Sequence, residues 1–215
     1  MNEIPKRVLV TGAGRCGTSA FMKFLHGYIN DELLFNERQH CFTVNEEKIM
    51  GNTTKFWNPF FNAGLEYVID EFSPDKVIFD SPYIFKDPRL CSGLRLILEK
   101  KRIKIDHLFI LIRDYRKSAL SRQKNQMWFT KWKSLACEDE KKSMLENQIE
   151  FNERSIGRLM ETVAIYDVPH TIIQFPRFAK DSKYLQNKLK GTPLEIPDEL
   201  MDDAFSIFDE KQINF

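Results

Sequence analysis

The residues best suited to chemistry begin with a glycine-rich segment near the N-terminus, residues 12–19 (GAGRCGTS). The apolar, β-branched run 7–11 before it predicts a buried strand, and apolar residues at helical spacing predict a helix over 18–29. Glycines at a strand-to-helix turn allow backbone N–H groups to converge on a phosphate, and the start of the helix adds positive potential. The segment therefore predicts a phosphate-binding loop.

The polar residues of this loop differ from those of an ATP or GTP site. Its spacing matches a Walker loop, but Thr18 stands where the Walker lysine reaches the terminal phosphates. The cation lies inside the loop instead, at Arg15, and Thr18 and Ser19 offer adjacent hydroxyls. This pattern argues against hydrolysis of a nucleoside triphosphate. The alternative interpretation is a glycine-rich turn that only caps a helix.

A second candidate anion-binding element lies in the middle of the chain. The apolar run 107–112 predicts a strand covered on both faces, and Arg113 ends it. Open α/β sheets bind ligands at the carboxyl ends of their strands. Ser121 and Arg122 follow about two turns into the next predicted helix, since a helix has 3.6 residues per turn. The alternative is a strand-ending arginine followed by a solvated helix face.

Together these segments resemble the PAPS-dependent sulfotransferases. Residues 14–19 look like the 5′-phosphosulfate loop of that family, and Arg113 followed by Ser121 looks like its 3′-phosphate element. The segment 85–91 (FKDPRLC) is similar to the K-D-P-R-x-C segment of the bacterial members. Tyr115 departs from the family, which usually has a proline there.

The resemblance implies a donor, 3′-phosphoadenosine 5′-phosphosulfate (PAPS), a product, adenosine 3′,5′-bisphosphate, and no metal. Arg113 and Ser121 would hold the 3′-phosphate, and the loop would hold the 5′-phosphosulfate. The full set of residues implied in donor binding is Gly14, Arg15, Cys16, Gly17, Thr18, Ser19, Arg113 and Ser121. The acceptor implied is a small molecule or a carbohydrate.

Sulfuryl transfer needs in-line positioning, cations on the charged oxygens and a base for the acceptor proton. Arg15 and Lys86 are the candidates for charge stabilisation. Glu37 is a candidate base because it follows the first helix, where carbohydrate sulfotransferases of this superfamily carry a glutamate. Asp87, next to Lys86, and Asp80 are the other carboxylates considered. A solvated surface role remains the alternative for each of them.

The order of predicted elements indicates the fold. Strands and helices alternate, which predicts a three-layer α/β/α sandwich with a mainly parallel sheet. We expect one sulfotransferase-like, P-loop-containing domain over residues 1–215, with acceptor-side insertions at 30–62 and 124–137. A kinase with a P-loop, or a P-loop domain that binds a nucleotide without turnover, remains an alternative function.

Composition narrows the class of partner. The net charge is +1, from 32 basic and 31 acidic residues, so no overall charge favours nucleic acid. No apolar run approaches the roughly 20 residues that span a bilayer. The four cysteines form no CxxC pair. We therefore expect a cytoplasmic protein with reduced thiols and no membrane span; the sequence leaves the oligomeric state open.

Overall fold

A computed structural model describes residues 6–29, 83–88, 90–100, 103–124 and 142–208 of the chain. Some sequence predictions lie outside these described residues. They are Glu37, Asp80, the insertion 30–62 and the insertion 124–137 except for its first residue.

Strands and helices alternate along much of the described chain, as the sequence predicted. The strands are β1 Lys6–Thr11, β2 Ile84–Lys86, β3 Lys104–Ile112 and β4 His170–Gln174. The α-helices are α1 Thr18–Ile29, α2 Leu90–Glu99, α3 Tyr115–Lys124, α4 Met144–Ile165, α5 Ser182–Leu189 and α6 Met201–Phe205. Short 3-10 turns lie at Arg177–Ala179, Asp198–Leu200 and Ser206–Phe208.

Within the described ranges the strands form one parallel sheet in the order β2-β1-β3-β4. Val8 on β1 lies opposite Ile84 on β2, and Thr11 lies opposite Ile110 on β3. In β3 the side chains of 108–111 are all 0% exposed. This continuous burial is typical of a parallel strand covered on both faces. The predicted parallel sheet is confirmed.

Helices cover both faces of this sheet. Along β1, Val8 and Val10 pack into a core shared with α1, α5 and α6. Leu9 points to the other face and packs into a core shared with α2 and α4. This alternation follows from the two-residue period of side chains along a strand. Helix α3 packs on α4, and the predicted three-layer α/β/α arrangement is confirmed.

Strand β2 is an element that the sequence pattern does not predict. It is three residues long and runs directly into Asp87-Pro88, a turn signal. Its backbone is extended because it pairs with β1, and the Tyr83 carbonyl accepts the Val8 N–H at 2.8 Å. Three residues are too few to show a periodicity that sequence analysis could detect.

Candidate functional site

Four segments meet at the carboxyl edge of the sheet. The loop 12–17 follows β1, Asp87 follows β2, Arg113 follows β3 and Phe175 follows β4. Parallel strands all end at the same edge, which is where open α/β sheets bind ligands. The segments that carry most of the predicted site residues therefore lie together.

The loop has unusual backbone angles. Gly14, Arg15 and Gly17 have positive φ values of 75°, 56° and 90°. Glycine adopts this region readily, but Arg15 carries a side chain and holds the conformation at a cost of about 1–2 kcal/mol. Non-glycine residues held in this region cluster at ligand-binding and active sites. Arg15 therefore has a backbone conformation that is common among residues of binding sites.

Backbone donors of the loop are available to a ligand. The N–H groups of Arg15, Cys16 and Gly17 donate to no acceptor in the described part of the chain. Helix α1 begins at Thr18 immediately afterwards, and the first N–H groups of a helix lack intrahelical acceptors. Consecutive free N–H groups at a helix start form an anion-binding concavity.

Two glycines allow the loop to pack closely on the sheet. A Cβ on Gly12 would lie 2.3 Å from the Cys16 Sγ and 2.4 Å from the Leu111 carbonyl oxygen. A Cβ on Gly17 would lie 2.4 Å from the ring of Phe175. Real Cβ contacts are not this short, so larger residues would displace the loop from the ends of β3 and β4.

The two predicted phosphate elements are in direct contact. The Arg15 Nε donates to the Ser121 Oγ at 3.2 Å, although the residues are 106 positions apart. The Arg113 Nη1 donates to the Arg15 carbonyl at 3.3 Å, and the Arg113 guanidinium lies 5.1 Å from the centroid of the Phe175 ring. Loop, strand end and helix α3 thus form one cationic group.

The charges of this group are arranged for an anion. Among the described residues no carboxylate forms a salt bridge with Arg15 or Arg113. Burial, followed by the neighbouring Arg15 guanidinium, lowers the pKa of Arg113. The Arg113 Nε is buried and has no hydrogen-bond partner in the structure. An anion here would relieve the repulsion between the guanidiniums.

A further cation, from β2, reaches the start of α1. Lys86 is 1% exposed, and its Nζ donates to the Ser19 Oγ at 2.9 Å. Asp87 follows and is 2% exposed. Its backbone N–H donates to the Val10 carbonyl at 3.2 Å, and its carbonyl accepts from the Thr11 Oγ1 at 2.9 Å. These contacts hold the Lys86-Asp87 pair beside the loop and α1.

The two described cysteines are thiols of the protein interior. Cys16 is 2% exposed and Cys91 is 4% exposed. Burial raises the pKa of Cys16 and raises that of Cys91 to about 12, despite a contact of 3.5 Å with the Thr11 hydroxyl. The Cys16 side chain lies in the core beside α1, so this residue can offer a ligand only its backbone N–H.

Arg122 has a role at this site that the sequence does not assign. It follows Ser121 on α3, yet it is 1% exposed and donates to the carbonyls of Ala13 and Gly14. A detectable signal lies in α4, where Gln148 and Asn152 recur one turn apart on its buried side. Polar residues on the inner face of a helix require a polar partner.

The structure therefore groups most of the predicted site residues. Arg15, Arg113 and Ser121 share contacts, and Lys86 contacts Ser19. The remaining members of the set, Gly14, Cys16, Gly17 and Thr18, lie in the loop and at the start of α1. Glu37 lies outside the described residues, so its role as a base stays a prediction. The arrangement offers backbone donors and several cations to one anionic ligand or to two linked anionic groups.

Comparisons with known proteins add a distant likeness. No family model and no curated protein matches the sequence. Among solved structures, the chain is similar to the sulfotransferase domain from the Synechococcus PCC 7002 olefin synthase, with 15% sequence identity and a TM-score of 0.46, over 95% of this chain and 77% of that one. A TM-score of this size carries no argument about activity. In the described ranges no helix is both long and apolar enough to cross a membrane.

Proposed function

We propose that this protein is a PAPS-dependent sulfotransferase that acts on a small-molecule or carbohydrate acceptor. The observation that carries the proposal is the contact between Arg15 in the loop and Ser121 on α3. It brings together two elements that resemble, separately, the 5′-phosphosulfate and 3′-phosphate elements of one donor. A ligand with a single phosphate needs one such element, whereas a 3′,5′-bisphosphate needs both.

Each end of the donor has a matching set of groups. The 5′-phosphosulfate would accept hydrogen bonds from the free N–H groups of the loop and from the hydroxyls of Thr18 and Ser19. The 3′-phosphate would accept from Arg113 and Ser121. Arg15 lies between the two sets and contacts Ser121 and Arg113. Charge-assisted hydrogen bonds of this kind are roughly twice as strong as neutral ones.

The transfer step assigns roles to the charged residues. An acceptor oxygen or nitrogen attacks sulfur, the bond from sulfur to the 5′-phosphate oxygen breaks, and adenosine 3′,5′-bisphosphate leaves. Arg15 and Lys86 stabilise the negative charge that grows on the bridging and equatorial oxygens. A carboxylate, Asp80, Asp87 or Glu37, takes the acceptor proton. This step needs no metal ion.

Donor binding is tested by calorimetric titration with adenosine 3′,5′-bisphosphate. We expect micromolar affinity for the native chain and weaker binding of 5′-AMP, which lacks the 3′-phosphate. Arg113→Ala should weaken bisphosphate binding at least about tenfold, since hydrogen bonds to charged groups contribute about 1.5–3 kcal/mol. The matched control is Arg116→Ala, which removes an exposed arginine from the same region. Equal affinity of the native chain for the bisphosphate and 5′-AMP contradicts the proposal.

The two alternative functions predict different results. A kinase would bind ATP only with Mg²⁺. Thr18 stands in place of the Walker lysine, but the ammonium of Lys86 reaches Ser19, and this contact favours a kinase. A binding domain without turnover would bind adenosine 3′,5′-bisphosphate but transfer nothing from radiolabelled PAPS to any acceptor in a screen. If transfer is observed, single changes of Glu37, Asp80 and Asp87 identify the base, because only one of them should abolish transfer and leave donor binding intact.

A further inference from the structure

Arg122 joins the backbone of the loop to helix α4. Its Nη2 donates to the carbonyl of Ala13 and, at 3.3 Å, to the carbonyl of Gly14. Its Nη1 donates to the Asn152 Oδ1 at 2.6 Å and to the Gln148 Oε1 at 3.3 Å. The guanidinium is thus held by side chains of α4 on one side and holds two consecutive loop carbonyls on the other.

These contacts determine which way the loop peptides face. A trans peptide is planar, and its carbonyl and N–H point in opposite directions. The Gly14 carbonyl points to Arg122, so the N–H of Arg15 in the same peptide points away from Arg122. The Arg15 carbonyl points to Arg113, so the N–H of Cys16 points away from that side chain. The orientation of successive loop donors therefore depends on buried or half-buried guanidiniums.

We propose that Arg122 is a positioning residue for anion binding, which keeps the Arg15 N–H turned toward the phosphosulfate position by holding the Ala13 and Gly14 carbonyls in the interior. This inference rests on the proposed function for the identity of the anion. Without Arg122, the peptide that follows Gly14 can rotate at low cost because glycine tolerates many backbone angles. A rotated peptide presents a carbonyl oxygen to the anion and repels it.

A loss of stability alone cannot test this role. Removal of Arg122 leaves the amide oxygens of Gln148 and Asn152 with one donor fewer, and buried polar groups left unsatisfied destabilise a fold. The control must therefore lower stability through α4 without a change to the loop. Val163 is suitable because it is 3% exposed and packs in the core between the sheet, α2 and α4.

The experiment compares the native chain, Arg122→Met and Val163→Ala. Calorimetry with adenosine 3′,5′-bisphosphate should show binding weakened at least about tenfold in Arg122→Met, the order of one lost hydrogen bond to a charged group, and within twofold of native in Val163→Ala. The Arg15 amide proton should move downfield on ligand addition in the native chain and not in Arg122→Met. Native-like affinity, together with the same downfield movement of the Arg15 amide as in the native chain, overturns the inference if it is found in a folded Arg122→Met protein.

Two further arms cover the other outcomes. If Arg122→Met does not fold, Asn152→Ala keeps the guanidinium and removes its shortest α4 contact; several-fold weaker binding supports the inference, and native-like binding overturns it. If the native chain binds pyrophosphate but not the bisphosphate, the proposed function fails, and the same comparison with pyrophosphate still decides the role of Arg122. A native chain that binds neither anion overturns both.

Discussion

Gly17→Ala perturbs the contact between the glycine loop and the end of β4. The added Cβ would lie 2.4 Å from the Cδ2 and 2.6 Å from the Cγ of Phe175. Gly17 also has a φ of 90°, a conformation that strains a residue with a side chain. Phe175 is 5% exposed and supports the Arg113 guanidinium on its ring face. A shift of that ring therefore moves a predicted ligand of the 3′-phosphate.

The size of the effect follows from these terms. The left-handed backbone costs a side-chain residue about 1–2 kcal/mol, and overpacking in a buried contact typically costs about 1–3 kcal/mol. The free energy of unfolding should therefore fall by about 2–5 kcal/mol. For a chain of this size about 1 kcal/mol corresponds to a change in Tm of about 2–4 °C, so the Tm should fall by roughly 4–20 °C.

Urea denaturation and thermal melting measure this change, and Gly157→Ala is the matched control. Gly157 lies within α4, and a Cβ there meets nothing within 4 Å, so alanine should stabilise the helix by up to about 1 kcal/mol. Glycine to alanine should thus lower the free energy of unfolding at position 17 and raise it at position 157. A Gly17→Ala protein as stable as the native chain, or as tight in binding adenosine 3′,5′-bisphosphate, refutes the close packing of loop on Phe175.

Other properties of the chain are equally open to test. Ser143→Ala should lower the free energy of unfolding by about 1 kcal/mol, because Ser143 caps α4. Hydrogen bonds from Ser143 hold the pKa of Glu146 below its ordinary 4.5. The stabilisation by ionised Glu146 is therefore present above pH 4.5 and is lost as the pH falls through the lowered pKa. The gap between Ser143→Ala and the native chain, followed by urea denaturation against pH, should narrow in acid, and a constant gap would contradict the capping box. Cys16 and Cys91 are buried with raised pKa values, so iodoacetamide near neutral pH should label them only after denaturation; peptide mass mapping that finds either labelled in the folded chain would show the burial to be wrong. Lys86→Met should lower transfer from radiolabelled PAPS at least about a hundredfold, the usual cost of losing one preorganised donor, and native turnover would remove Lys86 from the mechanism.

Local sequence patterns were sufficient for the main elements. The helix predicted over 18–29 agrees with α1 Thr18–Ile29, and the strand predicted at 107–112 lies within β3 Lys104–Ile112. Both segments have strong apolar patterns, because one face of α1 and both faces of β3 are covered in the fold. The glycine spacing of the loop is equally local, since glycine adopts positive φ readily, whereas the direction of the loop carbonyls depends on Arg113 and Arg122.

The residues of the site were predicted as types, but their contacts were not. Ser121 was matched to a family element from its distance to Arg113 in the sequence. Ser121 accepts a hydrogen bond from the Arg15 Nε because β1 and β3 are neighbours in a parallel sheet, which places the loop beside α3. Lys86 reaches Ser19 because β2, which has no detectable pattern of its own, pairs with β1.

Arg122 shows most clearly which features can be predicted from the sequence and which depend on the tertiary structure. The sequence alone determined a glycine-rich loop between β1 and α1, a parallel α/β layer arrangement and an arginine-serine element after β3, because these follow from periodicity and spacing along the chain. Only the tertiary structure decided that Ser121 meets the Arg15 side chain, whereas its neighbour Arg122 is buried between the loop carbonyls and the side chains of Gln148 and Asn152. Adjacent helical residues point in directions about 100° apart, and which part of the loop each one reaches depends on how α3 packs on α4.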